Sequence, residues 1–230
     1  EADRHHPRKS RRPFAAGDLS AATGIVMAAV CLGLSVALAL SLLPVAFIYW
    51  LAVYCVTTLS YSLYFKRIVL VDVILLSALY TLRILAGAAA VRVAVSPWMA
   101  GFSIFFFFSL ALVKRFSELE NLRLRGAAPA NGRGYNIQDL EQLRAFGTAS
   151  AYASIVIFTL YINNPEVGLL YHHPHHLWLM TPVLIWWLSR IWLRASRGQM
   201  SEDPVVFALT DRFSLIAGVA LLLIAVYASI

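Results

Sequence analysis

The sequence predicts an all-α protein, a polytopic bundle of transmembrane helices, from its composition and from the arrangement of its apolar residues. Of the 230 residues, 60% are hydrophobic and only 13% are charged, whereas soluble domains have roughly 45–50% apolar and about 25% charged residues. The apolar residues form long runs without the alternation of barrel strands, and this favours helices that span a bilayer. A soluble globule, a coiled coil and a disordered chain are therefore excluded.

Seven apolar runs, bounded by charged residues or proline, have the length that a membrane-spanning helix requires. Pro44 marks a tight turn between the first two, and Pro97 stands in the first turn of the fourth, where proline is tolerated. The predicted helices are Leu19–Leu43, Val45–Phe65, Ile68–Val91, Pro97–Val113, Leu143–Asn163, His175–Leu193 and Leu209–Ile230.

The positive charges orient these helices. When the N-terminal run is placed in the cytoplasm and the chain alternates across the membrane, every Lys and Arg except Arg83, Arg92 and Arg212 falls on the cytoplasmic side, as the positive-inside rule requires. The expected location is the bacterial inner (plasma) membrane, with the active site facing the cytoplasm. The long polar loops on that side are residues 1–18, 114–142 and 194–208.

The first loop places a row of cations behind a carboxylate. Asp3 is followed by Arg4, Lys9 and Arg12, and prolines stiffen the run. Such a set suits a Mg²⁺-bound diphosphate, because the carboxylate holds the metal and the cations hold the remaining oxygens. On charge alone, the same run can be a topology anchor that binds anionic lipid headgroups.

The order of residues in this loop resembles a motif of the UbiA-type prenyltransferase superfamily. The family pattern is Asn-Asp-x-x-Asp-x-x-x-Asp-Arg followed by His-Pro-x-Lys-Arg-x-Arg-Pro. The segment here reads Asp3-Arg4-x-His6-Pro7-x-Lys9-x-x-Arg12-Pro13, with Ser10 where the family has arginine. Because the family has nine transmembrane helices with this motif after the second, the resemblance implies a single transmembrane domain over residues 1–230. We expect that domain to hold seven of the nine helices and to lack the first two.

The resemblance also implies the ligands of the protein. Mg²⁺ is the implied cofactor, with Asp3 as a ligand, and Arg4, Lys9 and Arg12 are implied to bind phosphate. The implied partners are a polyprenyl lipid, a diphosphate substrate and the bilayer, with no nucleic acid. The family's tyrosine-to-lysine motif, whose lysine contacts the diphosphate, is matched by Lys66 with Tyr61 or Tyr64. Without the resemblance, these side chains are equally typical of an interfacial tyrosine belt with snorkelling cations.

Arg83 lies far inside the third apolar run, where a charged side chain is costly and is by default functional. Asp72 stands three helical turns earlier on the same face, and Tyr80 stands one turn earlier. We predict that Arg83 is a catalytic residue. The alternative is a structural ion pair between Arg83 and an acid on another helix.

Lys114, Arg115 and Glu118 begin the central loop at helical spacing. They can be ordinary surface ion pairs, worth only tenths of a kcal/mol. Aromatic prenyltransferases of the superfamily carry Asp-x-x-x-Asp in this loop, whereas Lys-Arg-x-x-Glu resembles the polyprenyl-phosphate phosphoribosyltransferase branch. That resemblance implies catalytic roles for Lys114 and Glu118 and phosphate binding by Arg115.

Asp203 and Asp211 precede the last helix, and the same branch has a similar acid-rich stretch there, which implies substrate binding. The alternative is that these acids complement the helix dipole. The histidines of residues 172–176 fall on the outer side and do not have a standard ligand spacing, so no metal site is predicted there.

The leading hypothesis is a membrane transferase that moves ribose 5-phosphate from phosphoribosyl diphosphate to a polyprenyl phosphate. Two alternatives stay open: prenyl transfer from a polyprenyl diphosphate to an aromatic acceptor such as 4-hydroxybenzoate, and a non-catalytic lipid-phosphate carrier. The sequence leaves the oligomeric state open.

Overall fold

The computed structural model describes residues 16–17, 19–124, 126, 134–200 and 203–230, and within them the chain is all-α, as predicted. Seven of its helices follow the seven predicted ones in order, and a short helix, α7, is additional. The helices are α1 (Ala21–Leu42), α2 (Val45–Leu63), α3 (Val71–Ala90), α4 (Pro97–Leu124), α5 (Leu140–Ile162), α6 (Met180–Ser196), α7 (Pro204–Thr210) and α8 (Arg212–Ser229).

Six of these helices are long and apolar enough to cross a membrane, namely α1 to α5 and α8. The sixth predicted span, His175–Leu193, starts later than expected. Residues Pro174–Leu179 form a 3₁₀ helix, and α6 begins only at Met180, with 17 residues.

The predicted loop at 114–142 is wrong in its first part, because α4 continues as a helix to Leu124. Arg115, Phe116 and Leu119 are buried on this extension, so packing continues the helix beyond the apolar run. The apolar run ends at its first charged residue, Lys114. The helix itself continues as long as its side chains pack against neighbouring segments. The predicted loop at 194–208 is likewise interrupted by the start of α7 at Pro204.

The described residues form two compact units, those up to Tyr49 and those from Trp50 to Ile230. In the first unit, α1 begins after Ser20, whose hydroxyl accepts a hydrogen bond from the N–H of Thr23 at 3.1 Å. This is a common N-cap arrangement, since it satisfies one of the free amides at the helix start. The helix ends just before Pro44.

In the second unit, α4 is the central helix and packs against α3, α5, α6 and α7. Its core is apolar, with Leu112, Leu188 and Ile191 fully buried. A buried polar junction also ties three helices together. Trp192 Nε1 of α6 donates to Ser109 Oγ at 3.0 Å, and that hydroxyl donates to the carbonyl of Gly147 in α5 at 2.8 Å.

The outward faces of the helices are apolar as well. On α8, the side chains of Ile216, Leu222 and Leu223 are each more than 60% exposed. Soluble monomers rarely expose continuous apolar surface of this kind. A bundle that is apolar both inside and outside is what a lipid bilayer requires of its spanning helices.

Candidate functional site

Most of the described charged side chains that sequence analysis singled out gather around the C-terminal half of α4. Lys114 and Arg115 are consecutive residues on this helix, so their side chains point about 100° apart around its axis. Lys114 reaches the start of α7, and Arg115 reaches the start of α3. One turn of α4 therefore connects two different parts of the unit.

Arg115 is 2% exposed, and its guanidinium is bound by protein groups. Its Nε donates to Asp72 Oδ2 at 2.5 Å, and its Nη1 donates to Glu118 Oε2 at 2.6 Å. Its Nη2 lies 3.5 Å from the hydroxyl of Tyr61. The i,i+3 pair between Arg115 and Glu118 that helical spacing allows is therefore formed, but it is buried rather than on the surface.

Asp72 was not among the predicted site residues, yet it is the buried centre of this group. Its second oxygen accepts the hydroxyl of Tyr135 at 2.5 Å, and that hydroxyl accepts the N–H of Leu70 at 2.9 Å. Burial and the hydrogen bond to Asp72 raise the pKa of Tyr135, so its phenol stays protonated and able to donate. The four residues Asp72, Arg115, Glu118 and Tyr135 are called the Asp72 cluster below.

Lys114 has a separate partner. Its Nζ lies 3.0 Å from Asp203 Oδ2, and both side chains are partly exposed. The pair stands at a small cavity of about 30 Å³ that is also lined by Tyr80 and Phe107. These two rings stack with their centroids 5.1 Å apart. A cavity of this volume holds about one water molecule, so a phosphate that binds Lys114 has to open it further.

The carboxylate of Asp203 stays ionised in this pair. Partial burial raises its pKa, but hydrogen bonding and charge from Lys114, with the N–H groups of Val205 and Val206, outweigh burial and hold the pKa below its usual range. Asp203 also caps α7 through those two N–H groups. Asp203 therefore complements the dipole of α7, as the alternative prediction held, and also forms an ion pair with Lys114.

Asp211 has a different partner, Arg190. The two guanidinium nitrogens Nη1 and Nη2 donate to its two oxygens at 2.6 and 2.9 Å, and the carboxylate caps α8 through the N–H of Ser214. These hydrogen bonds, with that of Arg190 the largest, lower the pKa of Asp211 to about 2, although burial acts in the opposite direction. The structure therefore gives Asp211 structural contacts, and its role in substrate binding stays a prediction.

Arg83 does not share partners with Asp72, although both are on α3. Its Nε and Nη2 donate to the hydroxyl of Tyr54 at 3.1 and 2.6 Å, and its guanidinium lies over the rings of Tyr54 and Tyr80 at 5.3 and 5.2 Å. No acid pairs with Arg83 among the residues that the structure describes. Tyr80 separates it from the cavity beside Lys114.

The remaining predicted residues fall into two groups. Lys66 is half-buried in the 3₁₀ turn Phe65–Arg67 before α3, and within the described ranges its ammonium has no hydrogen-bond or ion-pair partner. Asp3, Arg4, Lys9 and Arg12 lie outside the described residues.

The described carboxylates do not form a metal site. No three His, Cys, Asp or Glu side chains converge in the part of the chain that the structure describes. Asp72 and Glu118 bind Arg115, and Asp203 binds Lys114. Magnesium binding through Asp3 therefore stays a prediction.

A model of the UbiA prenyltransferase family matches residues 1–216 of this chain. The chain belongs to the UbiA prenyltransferase family. The resemblance inferred from the first loop is therefore confirmed, and the predicted enzyme class, a transferase, is that of the family. Together with its six long apolar helices, membership makes this an integral membrane protein.

The chain is also similar, over most of its length, to individual curated proteins. The chain is 41% identical to uncharacterized protein y4nM of Sinorhizobium fredii, over 95% of this chain and 42% of that protein. It is 35% identical to nodulation protein NoeC of Azorhizobium caulinodans, over 93% of this chain and 69% of that protein. It is 30% identical to decaprenyl-phosphate phosphoribosyltransferase of Mycobacterium tuberculosis, over 70% of this chain and 52% of that protein. The chain thus spans less than half of the first relative and about half of the third.

Three residues that make ion pairs or hydrogen bonds in this region, Asp72, Tyr135 and Arg190, were not predicted as site residues. Asp72 was noted only for sharing a face with Arg83, although an acid in the first turn of a spanning helix is itself a signal. Tyr135 was only part of the predicted loop at 114–142, and Arg190 was only one of the cations that orient the helices. No local pattern predicts the partners of these residues, which come from distant parts of the chain.

Proposed function

We propose that this protein transfers ribose 5-phosphate from phosphoribosyl diphosphate to a polyprenyl phosphate. The observation that carries the proposal is the consecutive pair Lys114 and Arg115 on α4. Lys114 pairs with Asp203, and Arg115 pairs with Asp72. The two cations occupy the part of the chain where aromatic prenyl transfer would need two aspartates. Because Asp203, Asp72 and Glu118 balance this pair, the cations left for the phosphates of both substrates are Lys66 and those of the first loop.

The relatives support this choice among the activities of the family. Proteins of Mycobacterium tuberculosis and Corynebacterium glutamicum that are named decaprenyl-phosphate phosphoribosyltransferase are 30% and 34% identical to the chain over the aligned residues. Their name describes transfer to a lipid phosphate, which is the reaction proposed here.

In this reaction, an oxygen of the lipid phosphate attacks the anomeric carbon of the ribose. The bond from that carbon to the diphosphate oxygen breaks, and diphosphate leaves with the bonding electron pair. The products are a polyprenyl phosphoribose diester and diphosphate. When the lipid phosphate is fully ionised, no proton has to be moved, so the chain's main tasks are to bind, orient and neutralise the phosphates.

The exposed and half-buried cations are the groups that can perform those tasks. We assign phosphate binding to Lys66, which has no described partner, and to Lys114 at its cavity, with Arg4, Lys9 and Arg12 of the first loop. Arg83 is assigned to the negative charge that develops on the leaving diphosphate, and the ring of Tyr80, which separates it from the cavity beside Lys114, has to move aside for that contact. Arg115 and Glu118 are bound to each other and to Asp72, so they act on the substrate through the position of α4.

The lipid chain requires an apolar surface next to these cations. Phe105, Phe108 and Phe146 line a groove of about 380 Å³. Leu70 also lines it, and the N–H of Leu70 donates to the hydroxyl of Tyr135 in the Asp72 cluster. A polyprenyl chain in this groove would leave its phosphate at the end of the bundle where the cations lie.

Magnesium is part of the proposal through Asp3. When bound, Mg²⁺ would neutralise oxygens of the diphosphate that the cations leave uncovered. We further propose that the site faces the cytoplasm of a bacterial cell, because the Lys and Arg residues concentrate on that side in the predicted topology.

The test uses the full-length protein in membranes with Mg²⁺, a polyprenyl phosphate and phosphoribosyl diphosphate. The expected product is a lipid-linked phosphoribose, formed together with diphosphate and lost when the metal is chelated. A reaction without the lipid separates transfer from hydrolysis of the donor. Turnover of a prenyl diphosphate with 4-hydroxybenzoate, without the phosphoribosyl product, would overturn the proposal, as would binding of lipid phosphate with no turnover of either donor.

A further inference from the structure

Asp72 joins three segments that are far apart in the chain. It lies in the first turn of α3 and is fully buried. Its carboxylate accepts hydrogen bonds from Arg115 and Tyr135, which are 43 and 63 residues away. Because a carboxylate this deeply buried does not reach a substrate, any effect of Asp72 on the reaction has to pass through the groups that it binds.

On one side, the cluster holds the turn that carries Lys66. The hydroxyl of Tyr135 binds the N–H of Leu70, whose backbone is in the left-handed region at φ 65°. Gly134, the residue before Tyr135, packs directly against this turn. A Cβ at Gly134 would stand 3.0 Å from Val69 Cγ2 and 3.4 Å from the carbonyl oxygen of Arg67. Residues 134–135 are therefore fitted closely against the segment from Arg67 to Leu70.

On the other side, the cluster holds α4. Arg115 is anchored by Asp72 and by Glu118, and the adjacent residue Lys114 points to the cavity. A guanidinium with two charged partners in a buried site keeps one orientation, because moving it would leave a charge unpaired away from water. The direction of Lys114 therefore depends on the same contacts as that of Arg115.

We propose that Asp72 is a positioning residue: by binding Tyr135 and Arg115 at once, it sets the spacing between the Lys66 turn and Lys114, and so the fit of the two cations to the substrate phosphates. The kinetic part of this inference rests on the proposed phosphoribosyl transfer. The geometric part does not depend on any activity.

The first measurement is the KM for phosphoribosyl diphosphate in the full-length protein with Tyr135→Phe. This change keeps the buried ring and removes only the two hydrogen bonds to Leu70 and Asp72. We expect KM to rise about tenfold with kcat within about twofold of the wild type, less than the roughly 100-fold that a misplacement of about 1 Å can cost. Asp72→Asn keeps the shape of the side chain, and its KM should rise by at least as much.

The matched control is Tyr152→Phe. Tyr152 of α5 also makes a hydrogen bond between helices, to Ser189 Oγ at 2.9 Å, but it has no contact with the cluster. Its loss should leave KM unchanged. A lower unfolding temperature in Tyr135→Phe with an unchanged KM would show a purely structural role and would overturn the proposal.

The second measurement does not need activity. The native cysteines are first removed by Cys31→Ser and Cys55→Ser. Spin labels are then attached at two exposed positions, through Ile68→Cys in the turn and Leu124→Cys in α4. Pulsed electron paramagnetic resonance measures the distance between them. Tyr135→Phe should broaden or shift this distance distribution, whereas Tyr152→Phe should not. An unchanged distribution in Tyr135→Phe would overturn the inference. If the wild type shows no phosphoribosyl transfer, the proposed function fails, but the distance measurement still decides on Asp72.

Discussion

Lys114 Nζ lies 3.0 Å from Asp203 Oδ2, although the two residues are 89 positions apart in the chain. The cation that faces the candidate cavity is thus already balanced by a carboxylate. A substrate phosphate that binds Lys114 has to share it with Asp203 or displace it.

This pair predicts a non-additive double variant. Lys114→Met should lower kcat/KM by about 100-fold, the order expected for loss of one electrostatic contact to the reacting groups. Asp203→Asn should lower it about tenfold because Lys114 loses its position, and the double variant should be no worse than Lys114→Met alone. Losses that add up would show that the two side chains act separately on the substrate.

Lys66 offers a direct test of phosphate binding. Its half-buried ammonium has no described partner, so Lys66→Ala should leave the folded structure intact while lowering activity by about 100-fold or more. Asp3→Ala should have an effect of the same order through the predicted metal site. Arg92→Gln is the control, since it removes an exposed cation after α3 at the opposite end of that helix. Near-normal rates in both site variants would contradict the assigned roles.

The ion pair between Arg190 and Asp211 predicts a stability that depends on acid pH. The pKa of Asp211 is lowered to about 2 in the folded protein, against about 3.9 in an unfolded chain. Its contribution is therefore complete above about pH 4 and is lost as the pH falls towards about 2. We expect the difference in unfolding temperature between wild type and Asp211→Asn to be constant above that window and to shrink within it. In an Arg190→Gln background this pH dependence should be much smaller, and a difference that persists there would point to another partner.

Two helical glycines should respond in opposite ways to alanine. A Cβ at Gly147 would stand 2.0 Å from Trp192 Cζ2, so Gly147→Ala should destabilise the protein by about 1–3 kcal/mol through overpacking. At Gly101 the nearest atom is Ile157 Cγ2 at 3.6 Å, and Gly101→Ala should be neutral or stabilising, since alanine favours a helix interior. Thermal unfolding in detergent measures both. Equal effects would contradict the close packing of α5 on Trp192.

Features that depend on neighbouring residues could be predicted from the sequence. Long apolar runs are sufficient to predict spanning helices, and Pro44 and Pro97 mark the ends of two of them. The extension of α4 to Leu124 could not be predicted, because Lys114 and Arg115 end the apolar run while their partners keep the helix packed.

The site shows the same division. Helical spacing correctly allowed the pair of Arg115 with Glu118, and it placed Asp72 and Arg83 on one face of α3. Only the tertiary structure gave those two residues different partners, with Asp72 bound to Arg115 and Arg83 bound to Tyr54.

By itself, then, the sequence determined that this is an all-α membrane protein of the UbiA family, and it predicted that the cations lie on one side of the membrane. The tertiary structure decided which of those cations are paired in a buried site, as Arg115 is, and which are paired at a partly exposed cavity, as Lys114 is. The physical reason is that hydrophobicity and helical period act over a few residues. An ion pair instead depends on where chain segments 43 or 89 residues apart meet.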